Sequence, residues 1–120
     1  MSKKALIIDD SAYMRDYIKN ALTSDGWEII GEAENGDSGI ELALSQEPDL
    51  ITLDNVLPDM LGVDLARILK VDEGITSKII MISALRQDRI VEQAKSYGVE
   101  GYIAKPFTTD TLIDHINNIQ

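Results

Sequence analysis

The sequence contains no cysteine among its 120 residues. Disulfide bonds, zinc–thiolate sites and thiol nucleophiles are therefore excluded. Proline is also sparse, and the three scattered prolines do not mark a linker between domains. Long apolar runs are missing as well: the basic start of the chain is followed by only four apolar residues, at positions 5–8. We therefore expect neither a signal peptide nor a membrane span, and we expect a cytoplasmic protein.

Basic side chains are scarce relative to acidic ones. The chain has 11 Lys and Arg against 21 Asp and Glu, a formal net charge of −10. A protein with this charge repels phosphate backbones and anionic lipid, so we expect no direct nucleic-acid or membrane partner. The acidity favours a metal cation or a basic surface on another protein. Apolar residues make up 44% of the chain, which is enough to bury a core, and the length suits one domain over residues 1–120.

Five short apolar runs alternate with longer segments of helical periodicity. The runs are mostly continuous and rich in isoleucine, which is typical of parallel strands buried on both faces. They cover residues 5–8, 27–30, 50–53, 78–82 and 101–104. Strand–helix alternation predicts an open α/β sheet with right-handed crossovers, and five units are too few for a closed eight-stranded barrel.

Residues typical of helix ends mark several boundaries between these elements. Asp37 is expected to cap the second helix, and Thr108 or Thr109, together with Asp110, the fifth. Gly98 is placed to end the fourth helix, because glycine readily adopts the left-handed conformation that follows a helix.

Polar side chains occupy the carboxyl ends of four of the five predicted strands. Strand one is followed by Asp9 and Asp10, strand three by Asp54, strand four by Ser83, and strand five runs into Lys105. Each of these residues alone is most often a solvated loop residue or a helix cap. Ligands of open α/β sheets bind outside the carboxyl ends of the strands, so we expect the five side chains to converge.

The chemistry of this group of residues predicts a magnesium-dependent phosphoryl acceptor. Carboxylates and a hydroxyl are hard oxygen ligands suited to Mg²⁺, and crowded carboxylates need a cation to offset their repulsion. Mg²⁺ and the Lys105 ammonium are the natural counter-charges. Mg²⁺ often completes its coordination with a phosphate, and aspartate is a nucleophile toward phosphoryl groups.

With these features in place, the chain resembles the receiver domains of response regulators, and among them the stand-alone chemotaxis regulators. The matching motifs are Asp9-Asp10-Ser11-Ala12-Tyr13-Met14-Arg15, Asp54-x-x-x-Pro58-x-x-x-Gly62, Ser83-Ala84 and Tyr102-Ile103-Ala104-Lys105-Pro106-Phe107. The resemblance spans nearly the whole chain. It implies a flavodoxin-like (β/α)5 fold, a doubly wound sheet of five parallel strands in the order 2-1-3-4-5 with helices on both faces.

The resemblance also implies a role for each residue of the predicted site. Asp54 would be the phosphoacceptor and one of the Mg²⁺ ligands. Asp10 would be the main Mg²⁺ ligand, Asp9 would act through water, and the backbone carbonyl of Val56 would be a further ligand. Lys105 would pair with Asp54 and later with the phosphoryl group.

Two further residues occupy the switch positions of the family. Ser83 would be the hydroxyl switch and Tyr102 the aromatic switch. A Ser83 hydroxyl that moves toward the phosphoryl group would free space into which the Tyr102 ring turns. The surface of the fourth helix, fifth strand and fifth helix would then change shape. In the family, the lysine at the position of Lys105 precedes Pro106 through a cis bond.

The implied function is that of a stand-alone two-component response regulator without an output domain. A CheA-like histidine kinase would donate to Asp54, and a partner protein, first of all a flagellar switch protein, would read the result. A phosphatase is a further expected partner, and we expect a monomer. An intermediate carrier of a phosphorelay and a phosphate sink are alternatives within this class. We expect no enzyme activity beyond self-phosphorylation from small acyl phosphates and slow self-dephosphorylation.

Two alternatives belong to other functional classes. A flavodoxin-like cofactor binder needs a cradle of backbone donors after the first strand, where Asp9 and Asp10 would repel a phosphate. A Mg²⁺-dependent phosphatase usually supplies a second acid close to its nucleophile, and neither Asn55 nor Val56 is an acid.

Three residues depart from the family pattern. Asn55 follows the acceptor where the family usually has an apolar residue, and a buried amide needs partners. Val56 and Leu85 are apolar at two positions that in the family flank the path of the hydrolytic water. We therefore expect the phosphorylated form to lose its phosphate slowly.

Overall fold

The computed structural model describes residues 3–84 and 87–119, and every structural statement below refers to that part of the chain. Strands and helices alternate along it. They are β1 Lys4–Ile8, α1 Ala12–Ser24, β2 Glu28–Ala33, α2 Gly36–Gln46, β3 Leu50–Asp54, α3 Gly62–Arg67, β4 Lys78–Ser83, α4 Asp88–Ser96, β5 Gly101–Ala104 and α5 Thr109–Ile119. Helix α3 runs directly into a π-helical turn, Ile68–Asp72. None of the helices described is long and apolar enough to cross a membrane.

The five strands form one parallel sheet in the order β2-β1-β3-β4-β5. This confirms the strand order and the flavodoxin-like fold expected from the sequence. The chain leaves β1 toward one edge of the sheet and builds the other half from β3 onward. The carboxyl ends of β1 and β3 therefore lie side by side where the direction of winding changes, which is the point at which such sheets bind ligands.

Two apolar clusters cover the two faces of the sheet. Leu6, Ile8 and Ile51 belong to the cluster that also contains residues of α2, α3 and α4. Ala5 and Ile7 point to the other face, where the cluster contains residues of α1 and α5. Because successive strand residues are buried on opposite faces, the strands read as continuous apolar runs.

The second strand is longer than its apolar run predicted. It begins at Glu28 rather than Trp27 and continues to Ala33, because its backbone pairs with β1 as far as the Ile8–Ala33 partners. Glu28 and Glu32 are exposed, residues 29–31 are partly buried and Ala33 is buried, as expected at a sheet edge. The predicted bounds of this strand, residues 27–30, were wrong at both ends, because backbone pairing at a sheet edge does not require apolar side chains.

The predicted cap of the second helix was also wrong. Helix α2 begins at Gly36, so Asp37 lies inside its first turn, and the side chain of Asn35 accepts from the Ser38 amide at 2.8 Å instead. The other two boundaries are confirmed. The Thr108 hydroxyl accepts from the Thr111 amide at 3.1 Å, and Gly98, with φ of +98°, follows the end of α4.

Candidate functional site

Three acidic side chains meet at the carboxyl ends of β1 and β3. Asp9 and Asp10 follow β1 directly, and Asp54 is the last residue of β3. One carboxylate oxygen from each of the three lies within 4.8 Å of the others. Asp9 is 1% exposed and Asp54 8% exposed, whereas Asp10 faces solvent. Three oxygen donors at this spacing, two of them buried, form a group that could hold a divalent cation.

The Asp9 carboxylate is held in place by its own turn. Its Oδ1 accepts from the Ser11 amide at 2.9 Å, and the Asp9 amide donates to the carbonyl of Ala33 at 2.9 Å. The Arg15 guanidinium, one turn into α1, donates to the Asp9 carbonyl at 2.5 Å and lies 3.4 Å from the Glu32 carboxylate. Backbone and side-chain contacts thus fix the turn that carries two of the three acids.

Lys105 brings a positive charge to the acidic cluster from the far side of β4. Its amide donates to the carbonyl of Ser83 at 2.8 Å, which aligns the end of β5 with the end of β4. Its Nζ lies 3.2 Å from Asp9 Oδ2 and 3.5 Å from Asp54 Oδ1. The side chain is 18% exposed, so the ammonium is partly removed from water. The Lys105–Pro106 peptide bond is cis.

The carboxyl group of Asp54 is electrostatically unfavourable in its ionised form. Burial raises its pKa, and the neighbouring Asp9 charge raises it further. The Lys105 ammonium and the hydrogen bond from the Val56 amide act in the opposite direction without cancelling these effects. A cation bound between the carboxylates would relieve the same repulsion, so this donor set fits Mg²⁺.

Comparison with known proteins shows the family of this chain. Residues 5–117 match the response regulator receiver domain. The chain belongs to the response regulator receiver domain family.

Relatives of this receiver domain include proteins of bacterial chemotaxis. The chain is 37% identical over 120 residues to the chemotaxis protein CheY of Thermotoga maritima, covering 99% of this chain and 98% of that protein. It is 38% identical over 117 residues to the chemotaxis protein CheY of Bacillus subtilis, covering 98% and 97% of the two chains. Among solved structures, it resembles a chain of the CheX–CheY–BeF3–Mg complex from Borrelia burgdorferi, with a TM-score of 0.89, 26% identity, and 97% and 87% of the chains covered.

The loop that follows Asp54 in this receiver domain closes on itself. The Gly62 amide donates to the Asn55 carbonyl at 2.6 Å, and Val56 pairs with Leu61 in a short antiparallel bridge. A Cβ on Gly62 would collide with the backbone carbonyl oxygen of Asp54 and lie 2.7 Å from the Asn55 Cα. Only glycine allows the chain to return this close, which explains why the sequence motif ends in Gly62.

Asn55 and Val56 differ in environment although they are adjacent. Asn55 is 6% exposed, and its Oδ1 has no hydrogen-bond partner within residues 3–84 and 87–119. Val56 is 54% exposed, and its amide donates to Asp54 Oδ1 at 3.4 Å. Leu85, which the sequence places near the same site, lies outside the described residues.

Ser83 and Tyr102 lie on the same face of the sheet. Met81 pairs with Tyr102 and Ser83 with Ala104, and side chains two apart on a strand share a face. This is the face covered by α3 and α4, since Met81 and Tyr102 both pack in that apolar cluster. Ser83 is 1% exposed and Tyr102 is partly buried.

One residue of the site region carries no signal in the sequence. Asp59, in the loop after Asp54, accepts from the Gly36 amide at 2.7 Å and from the Asp37 amide at 3.0 Å. It thereby joins the loop to the start of α2. No local pattern signals this contact, because the two segments are more than 20 residues apart in sequence.

Proposed function

We propose that this chain is a stand-alone response regulator that accepts a phosphoryl group on Asp54 from a histidine kinase and then changes its binding to a partner protein. The observation that carries the proposal is the position of the Asp54 carboxylate, which lies in a cluster with Asp9 and Asp10 and 3.5 Å from the Lys105 ammonium. Membership of the receiver family and the similarity to chemotaxis proteins support it.

Asp54 is better placed than Asp9 to be the acceptor. Both oxygens of Asp9 are occupied, one by the Ser11 amide and the other by Lys105. Within the described part of the chain, the Asp54 side chain makes polar contacts with the Val56 amide and with Lys105, and both contacts are made by its Oδ1. Its Oδ2 is therefore the oxygen left for an incoming phosphorus atom.

The three acids would hold Mg²⁺ together with the backbone carbonyl of Val56. Carboxylate and carbonyl oxygens are the ligands that this ion prefers, and the buried Asp9 and Asp54 charges need a counter-ion. When bound, the ion supplies positive charge that offsets the negative charge of the phosphoryl oxygens. The solved CheX–CheY complex, whose name includes Mg and BeF3, supports a magnesium-dependent site in a protein of this fold.

Phosphoryl transfer at this site needs positioning and charge neutralisation more than proton transfer. The bond from an Asp54 oxygen to phosphorus forms as the phosphorus–nitrogen bond of the donor phosphohistidine breaks, and the imidazole leaves with the electron pair. The Lys105 ammonium is already within reach of the acceptor and neutralises part of the charge brought by the phosphoryl group. Ser83, buried at the end of the adjacent strand β4, would supply a hydroxyl to the phosphoryl group.

In this proposal the partner protein recognises the phosphorylated state through the surface of α4, β5 and α5. Ser83 and Tyr102 face the same side of the sheet, so a movement of the Ser83 hydroxyl toward the phosphoryl group changes the space open to the Tyr102 ring. Such a change shifts a population between two conformations by differential contacts. The chemotaxis relatives favour a CheA-like kinase as donor and a flagellar switch protein as reader. The CheX–CheY complex supports a further protein partner, and we propose a phosphatase for that role.

In this proposal the chain is a monomer of one domain that switches a partner rather than turning over a substrate. A phosphorelay carrier or phosphate sink would use the same acceptor site and differ only in the protein that receives the signal. Pull-down experiments with phosphorylated and unphosphorylated protein separate these cases, because a phosphorelay carrier would be recovered with a histidine-containing phosphotransfer protein.

Intact mass after incubation with acetyl phosphate and Mg²⁺ tests the acceptor assignment. The expected result is a gain of one phosphoryl group, about 80 Da, that disappears in Asp54→Ala and when EDTA replaces Mg²⁺. Asp64→Ala, which removes an exposed acid in the first turn of α3, is the matched control and should still gain the group. Retention of the mass gain in Asp54→Ala would overturn the assignment.

A further inference from the structure

The start of α2 receives its cap from a distant loop. The first amides of a helix have no partner inside the helix. In α2, the Ser38 amide is satisfied by the side chain of Asn35, the residue just before the helix. The Gly36 and Asp37 amides are instead satisfied by the two carboxylate oxygens of Asp59, at 2.7 and 3.0 Å. These bonds, first of all the one from Gly36, hold the pKa of Asp59 below its ordinary value.

A close side-chain contact accompanies the Asp59 hydrogen bonds. A Cβ on Gly36 would lie 2.5 Å from the Met60 sulfur and 2.6 Å from its Cγ and Cε, so Met60 lies directly over the helix start. Gly36 and Ala43 are buried, and α2 packs on the sheet through the cluster that contains Ala43. The helix start is thus a fixed point to which residues 59 and 60 are attached.

Val56 lies in the part of the loop between two points that are held in place. One end of the loop is fixed where Gly62 approaches Asp54, and the tip is fixed by Asp59. Val56 lies between them with its side chain 54% exposed. The next residue, Leu57, is buried, and its amide, which belongs to the same peptide unit as the Val56 carbonyl, donates to the Met60 carbonyl at 3.2 Å. The bridge partner of Val56, Leu61, is 45% exposed and belongs to the same loop, so this bridge does not attach Val56 to the rest of the protein.

We propose that Asp59 is a positioning residue that, by capping α2, holds residues 55–61 in the conformation that offers the Val56 carbonyl to a cation at the acidic cluster. This inference rests on the proposed function, because it takes Mg²⁺ as the occupant of that cluster. Outer contacts that orient metal ligands commonly affect metal affinity although they never touch the ion. Asp59 contributes through geometry, since its own carboxylate is already bound to two amides of α2.

The test measures Mg²⁺ affinity by titration calorimetry and amide hydrogen exchange in the same set of variants. Asp59→Ala is expected to weaken Mg²⁺ binding by roughly tenfold and to speed exchange of the Gly36 and Asp37 amides. Asp59→Asn keeps an oxygen that can accept from one of these amides and should recover part of the affinity. Asp37→Ala removes an exposed negative charge from the same helix start while keeping the backbone donors, and should bind Mg²⁺ as the wild type does.

Each outcome of this test bears on one claim. Equal Mg²⁺ affinity in Asp59→Ala and Asp37→Ala would overturn the positioning role while leaving the proposed function standing. Faster amide exchange with unchanged Mg²⁺ affinity would show a merely structural cap and overturn it as well. A wild-type protein that binds no Mg²⁺ would overturn the proposed function itself, and the positioning role with it. If Asp59→Ala does not fold, Asp59→Asn alone decides the question. The single side-chain oxygen of asparagine can replace only one of the two Asp59 oxygens, so we still expect Mg²⁺ to bind more weakly than to the wild type.

Discussion

Lys105 lies 3.5 Å from Asp54, yet the pKa of the Asp54 carboxyl is raised. An ammonium at this distance normally favours the ionised acid. Here burial of Asp54 and the charge of Asp9 outweigh it, and Lys105 divides its single charge between the two acids. The site therefore holds more negative charge than its own lysine neutralises, which is the electrostatic condition for capturing a divalent cation.

The first prediction concerns pH and Asp54→Asn in the absence of Mg²⁺. Because the folded-state pKa of Asp54 lies above its ordinary value of 3.8, the folded state binds this proton more tightly than the unfolded state. The Asp54 contribution to the free energy of unfolding therefore rises as the pH falls through the raised pKa, and it is complete below 3.8. At pH 7, Asp54→Asn should be more stable than the wild type by about 1 kcal/mol.

Urea denaturation in EDTA at a series of pH values measures this difference. The advantage of Asp54→Asn over the wild type should shrink as the pH falls, because the wild-type acid becomes neutral too. Asp16→Asn, at an exposed position in α1, is the control and should show no such advantage at pH 7. An advantage of Asp54→Asn that stays constant down to pH 4 would contradict the prediction.

The second prediction is that Gly62→Ala is strongly destabilising. The added methyl group would meet the Asp54 carbonyl oxygen and the Asn55 Cα, which are backbone atoms and cannot rotate away. We expect a loss of about 3 kcal/mol in the free energy of unfolding, at the upper end for overpacking. Urea denaturation measures it.

Gly31→Ala is the matched control for Gly62→Ala. Its Cβ would meet only the ends of the Leu42 and Leu6 side chains, at 3.3 Å, and these can shift by a few tenths of an ångström. Its loss should therefore be clearly smaller. Equal losses in the two variants would show that the approach of Gly62 to the Asp54 backbone is not what requires glycine.

The third prediction concerns the lifetime of the phosphorylated form. By the resemblance to receiver domains we expect Val56 to flank the path of the hydrolytic water, and valine offers that water no hydrogen bond. Val56 is more than half exposed, so a polar side chain fits without repacking the core. Val56→Asn should speed loss of the phosphoryl group by roughly tenfold, the equivalent of one hydrogen bond.

Release of phosphate after phosphorylation with acetyl phosphate and removal of the donor measures this rate. Val56→Ala changes the volume at the same position without adding a hydrogen-bonding group, and it should decay at nearly the wild-type rate. A similar acceleration in both variants would mean that access of water, rather than its orientation, limits the reaction.

Much of the fold could be predicted from the sequence, because a strand that is buried on both faces has apolar residues at successive positions. The continuous apolar runs marked all five strands, and the polar residues at their ends marked the edge where Asp9, Asp54 and Lys105 meet. The second strand was misplaced because an edge strand is only partly buried. Asp37 has the right chemistry for a cap, whereas helix α2 begins at Gly36, two residues before the start that a cap at Asp37 predicts, and Asn35 is its cap.

By itself, the sequence determined the order of strands and helices and the chemical types at the carboxyl edge, because periodicity and side-chain chemistry are local properties. Only the tertiary structure decided which groups touch: that Lys105 divides its charge between two acids, that Gly62 approaches the backbone of Asp54, and that Asp59 caps α2. The contacts of Lys105 and Asp59 join segments far apart in the chain. They depend on distances that the packing of the helices on the sheet sets, and such distances leave no pattern in the order of the residues.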